Sequence, residues 1–209
     1  MAKPYSAGEI AGLLEQKYGE KGRFTMLEER PKDSFAVEYT FMDAKREIEF
    51  IVTSGVSQSG IIPIRHKNWR DFLNRGIMYG AGEAATALAA THGLHLVPVD
   101  SLHGGGTDSN DYIYLSDFSQ LDDAAALFSN LSELYRLEQP DVFTCAFFLY
   151  SAHPEEITSQ TLDGPVLLAS IPYSELQAGG RFFEQGTAAI SEELAEAWQS
   201  AKNNGLLPK

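Results

Sequence analysis

A single cysteine in 209 residues, Cys145, builds no intrachain disulfide and fits a reducing compartment. Long apolar runs are also missing. Gly76 to Ala90 is the longest outside the run described below. It carries Glu83 and three glycines, and it falls short of the roughly 20 residues a membrane helix needs. Met1-Ala2-Lys3-Pro4-Tyr5 has none of the parts of a secretory signal, so a cytoplasmic location is expected, although a signal trimmed before residue 1 would leave the same chain. No Pro- or Ser-rich linker separates two regions, and no period marks a solenoid. Positive charge is scarce in one half only. Residues 1–100 hold 13 acids against 12 Lys/Arg, whereas residues 101–209 hold 16 acids against Arg136, Arg181, Lys202 and Lys209. The net charge of −13 therefore sits almost wholly in the second half, which opposes binding to a phosphate backbone.

What is present starts with Asp141 to Ser151. Val142 to Tyr150 is apolar almost without a break and rich in aromatic and β-branched residues, with Pro140 before it and Pro154 beyond. A strand covered on both faces reads this way, so it is taken as a central strand. Upstream, Ser6 and Glu9 have capping-box spacing, Ile10, Leu13, Leu14 and Tyr18 follow at helical intervals, and Gly19 fits a left-handed stop. Phe24–Glu28 reads as a weak strand. Residues 35–41 and 47–53 alternate cleanly, and the polar connection 43–46 pairs them as a hairpin with Glu38, Glu47 and Glu49 outward.

Gly55 to Gly60 reads as a loop, and Asn68 as the cap of a helix bearing Trp69, Phe72, Leu73, Gly76 and Gly80. The spacing of Gly76 and Gly80 admits the close approach of another backbone. An alanine-rich helix then runs to Gly93, and strands are expected over 94–99 and 111–115. A helix from Ser119 to Gln139 turns Ala125, Phe128, Leu131, Leu134 and Tyr135 inward. Residues 165–171 read as a partner strand. The last helix starts at Thr187 or Ser191, with Ile190, Leu194, Ala197, Trp198 and Ala201 inward. The sum is one α+β domain over 1–209, subdivided if anywhere near 100–110: a mostly antiparallel sheet with helices packed on one face.

The densest chemistry lies in 92–111. His92, His95, His103, Asp108 and Asp111 are residue types that ligate divalent metals, and His95, His103 and Asp108 could serve acid–base work in a metal-assisted hydrolase. The spacing matches no zinc or EF-hand pattern, and loops of Gly, Asp, Asn and Ser are commonly turns. His103-Gly104-Gly105-Gly106 has the composition of an esterase oxyanion loop, but no Gly-x-Ser-x-Gly elbow follows it. Cys145, inside an apolar run, is a poor nucleophile. Without a Walker A loop or a Rossmann glycine fingerprint, no cofactor is implied. Arg65-His66-Lys67-Asn68-Trp69-Arg70 is the one local gathering of cations, too small in an acidic chain to favour nucleic acid.

The reading that fits best is a soluble, non-enzymatic binding or regulatory module. It is immunity-like in size and charge, as in a bacterium or mobile element, and it takes a basic protein partner through 101–209. The metal-assisted hydrolase is one alternative. Another is a self-associating structural subunit whose aromatic strands, such as 35–41, pair edge to edge.

Overall fold

The computed structural model describes residues 3–59, 64–103, 110–140, 146–151 and 166–207. The chain is α+β and divides into two compact units, Met1–Gly80 and Ala81–Lys209, each with its own four-stranded sheet. The boundary falls in the Gly80-Ala81-Gly82 break between two helices and not near 100–110. Among the described residues every strand pairing is antiparallel except one.

In the first unit, α1 (Ala7–Tyr18) begins on the capping box of Ser6 and Glu9 and ends on Gly19 at φ 79°. It buries Ile10 and Leu14. Four strands follow, β1 (Phe24–Pro31), β2 (Ala36–Asp43), β3 (Ile48–Ser59) and β4 (Ile64–Asp71), paired in sequence order. The hairpin register sets Phe41 opposite Phe50 and Tyr39 opposite Val52, so one face collects these four residues with Phe24. Both helices cover that face. Tyr18 of α1 meets the Phe24 ring at 5.7 Å. Gly76 of α2 (Leu73–Gly80) lies so close to β3 that a Cβ there would stand 2.5 Å from the Glu49 carbonyl oxygen. Gly76 thus does admit a neighbouring backbone, whereas Gly80 meets only the Ile48 side chain. Arg23 and Asp43 form a buried pair, with Nε 2.7 Å from Oδ1. Burial pushes the Asp43 carboxyl up, but the Arg23 fork and the Lys45 and Arg46 amides outweigh it, and the net direction is down.

Three expectations for this unit are corrected. The stretch 55–59 is not a loop; it continues β3, paired with β4 from Val52↔Asp71 to Ser59↔Ile64. The residues around Asn68 are not a helix start, because they form β4, and α2 begins only at Leu73, whose N–H donates to Asp71 Oδ1 at 3.4 Å. Backbone pairing decides both outcomes. A mostly exposed edge strand has no buried face and so no apolar alternation to read. Glu38 is not on a wet face: it is only 7% exposed, with Lys32 Nζ at 3.1 Å and Arg30 Nη1 at 3.7 Å. Strand β2 is moreover hydrogen-bonded on both sides, by β1 and β3, so residues 36–41 offer no free edge for self-association.

In the second unit, α3 (Gly82–Thr91), β5 (His95–Val97), β6 (Asn110–Leu115), α4 (Leu121–Tyr135), β7 (Ala146–Ser151), β8 (Val166–Pro172) and α5 (Arg181–Asn203) follow in order. The sheet order is β5-β6-β7-β8. The expected central strand does lie inside its sheet over 146–151; residues 142–145 fall outside the described ones. Strands β6 and β7 are the parallel pair, and α4 supplies the crossover that such a pair requires. Before α4, Asp117 and Gln120 make a capping box around a short 3-10 turn.

Helix α4 stops at Arg136, in the left-handed region at φ 46°, short of the expected Gln139-Pro140, and Leu134 is exposed rather than inward. Helix α5 begins at Arg181, earlier than Thr187 or Ser191, because two helical pieces join across a break at Gly186 (φ 72°). Ile190, Leu194 and Ala201 are buried, and Trp198 is half-buried against the Phe118 ring at 6.2 Å. Among the described residues no helix is long and apolar enough to cross a membrane.

Candidate functional site

Strand β6 carries the most distinctive polar group of the second unit. Its alternation turns Asp111, Ile113 and Leu115 to the buried face, and Asp111 is fully buried. Two phenols satisfy the carboxyl. Tyr173 Oη donates to Oδ2 at 2.7 Å, and Tyr135 Oη, from the last turn of α4, donates to Oδ1 at 3.2 Å. The two tyrosine rings stand edge to face at 5.8 Å, and Phe128 lies 4.9 Å from Tyr173. An ionised carboxylate in such a wall of rings has lost its water, and among the described residues no cation pairs with Asp111. Burial therefore pushes Asp111 up to about 7, with the two phenols pulling the other way. The same burial, with Asp111 alongside, drives the Tyr135 phenol upward. The two phenols hold the Asp111 carboxyl in place by hydrogen bonds.

His92, His95 and His103 do not converge on Asp111. His92 caps the C-terminus of α3, where Asn130 of α4 donates its amide to Nε2 at 3.1 Å. His95 pairs with Tyr114, and successive strand residues alternate faces, so His95 lies on the side of the sheet opposite to Asp111. It is exposed, with its ring 5.8 Å from that of Tyr114. His103 is exposed in the following turn, its N–H donating to Ser101 Oγ at 3.1 Å. Asp108, with Gly104, Gly105 and Gly106, lies outside the described residues. Among the described residues no three His, Cys, Asp or Glu side chains gather to hold a metal ion. The hydrogen bonds to Asp111 come from tyrosines. Tyr135 is legible in the sequence as an inward residue of α4. Tyr173, 62 positions from Asp111, leaves no local signal.

Part of the negative charge of this half lies on two helices. Asp122, Asp123 and Glu133 of α4 and Glu184, Glu192 and Glu196 of α5 are all exposed. They occupy the positions left over once each helix has turned its apolar stripe inward. Ser119 holds the Asp117 carboxyl below its ordinary range, so the start of α4 stays charged as well. Arg181 of α5 is ion-paired with Glu193, so part of the scarce positive charge here is already matched within the helix. Comparison with known family models, characterised proteins and solved structures returns no match.

Proposed function

We propose that this chain is a non-enzymatic binding module, immunity-like in kind and cytoplasmic, whose second half receives a basic macromolecular partner. The observation that supports it is the exposed acidic array of α4 and α5, set on two helices whose inward faces are fixed by Leu121, Leu127, Leu131, Ile190 and Leu194. Within α4, and within α5 beyond Gly186, helical geometry sets the spacing of these charges, which favours complementary docking over diffuse attraction. The metal-assisted reading draws nothing from the placement of His95 and Asp111 on opposite faces of their sheet.

The test is affinity capture from source-cell extract with the intact chain, against a variant carrying Asp122→Asn, Asp123→Asn, Glu192→Gln and Glu196→Gln. A basic protein retained by the natural chain and lost with the variant is the expected result. Equal retention by both would refute the assignment to this surface.

A further inference from the structure

The first sheet has two edges of different character. Strand β1 is bulged between Met26 and Glu28 and ends on Pro31, features that spoil an edge for further pairing. Strand β4 is regular. Its eight residues pair with β3 without a register shift, and among the described residues no strand pairs with its other side. Arg65, His66, Lys67, Asn68 and Arg70 are exposed along it.

The charges on this edge are only partly matched. Lys67 Nζ reaches Glu9 at 2.8 Å, and Lys17 of α1 reaches Asp71 at the same distance. Arg65 and Arg70 have no carboxylate partner among the described residues. Their guanidinium groups lie over Phe35 and Phe72, at 5.0 and 5.1 Å from the ring centroids. A guanidinium over a ring face still has N–H donors to offer a carboxylate. Five positions apart on a strand, the two arginines project to opposite faces of the sheet.

A second β4 edge is a poor partner, since cations would face cations across the new pair. An acidic strand meets the same edge with complementary charge on both faces. We propose that β4 is a docking edge that takes an acidic, extended peptide segment as a fifth strand of the first sheet. Main-chain hydrogen bonds to the open side of β4 hold the segment, and carboxylates placed to meet Arg65 and Arg70 select it. This surface is distinct from the acidic array of α4 and α5 and does not rest on it.

The experiment uses the intact chain and a fluorescent decapeptide of threonine and valine carrying two glutamates five positions apart. Saturable binding by anisotropy is expected, together with slowed hydrogen exchange at the amides of β4. Arg65→Gln with Arg70→Gln is expected to weaken it at least tenfold, as is replacing the glutamates by lysines. N-methylation of alternate peptide amides is expected to abolish it, because that removes strand pairing and leaves the charge. Absence of saturable binding would overturn the proposal, as would binding indifferent to N-methylation or to the arginine changes. Tighter binding of a thymidine decamer than of the peptide would assign the edge to nucleic acid and overturn it equally.

Discussion

At the scale of single residues, Asp111 is where chemistry and stability meet. Its carboxyl is held at about 7 in the folded chain, against an ordinary value of 3.8. A folded state that binds a proton more tightly than the unfolded chain is most stable below the unfolded value. That advantage is lost as pH rises through the folded one. Stability of the second unit should therefore fall between about pH 4 and pH 7 and level off above. The full loss, some three pH units at 1.36 kcal/mol each, is ~4 kcal/mol as an upper bound. Asp111→Asn removes the titration while keeping an amide that the phenols can meet. Denaturant unfolding at pH 5 and pH 8 should show that the natural chain loses stability over this range by more than the variant does. Identical pH profiles would contradict the burial argument. Three residues from three elements make this network, and only part of it is legible in the sequence. Asp111 attracts notice as a ligand type and Tyr135 as an inward helix residue, but no spacing rule joins either to Tyr173.

At the scale of elements, local signals carried as far as local physics reaches. The capping box at Ser6 and the left-handed Gly19 bound α1 where expected, since both act through neighbouring backbone groups. Strand β4 was hidden because its partner β3, and not any pattern of its own, makes it a strand. The glycines of the two helices show the same contrast between local preference and tertiary contact. Gly12 in α1 has nothing within 4 Å of an added Cβ, so Gly12→Ala should stabilise the chain by ~0.5–1 kcal/mol, as helix propensity dictates. Gly76 in α2 has the Glu49 carbonyl oxygen at 2.5 Å and the Phe50 Cβ at 2.7 Å from that position. Backbone must move to admit a methyl group there, and Gly76→Ala should destabilise by roughly 1–3 kcal/mol despite the better propensity. Opposite signs in thermal unfolding of the two variants are the expected outcome. The same sign for both would mean that α2 does not lie against β3 as described.

At the scale of the whole molecule, charge and fold divide along similar lines. The first unit keeps acids and cations near balance and ties several together, as in Arg23–Asp43, Lys17–Asp71 and Lys67–Glu9. The second has a surplus of acids, and six of them, Asp122, Asp123, Glu133, Glu184, Glu192 and Glu196, are exposed on two helices. The surplus was plain in the sequence, because counting needs no structure. The outward acids of α4 and of the later part of α5 follow from the helical spacing as well, whereas Glu184 does not, because the piece of α5 before the break at Gly186 is set by backbone conformation. The account stands on that array acting at a distance to draw in a basic partner. The most direct measurement is the association rate of the captured partner at a series of salt concentrations, for the natural chain and for the four-substitution variant. A rate that falls steeply as salt rises is expected for the natural chain, with a much flatter dependence for the variant. A rate independent of ionic strength in the natural chain would contradict it.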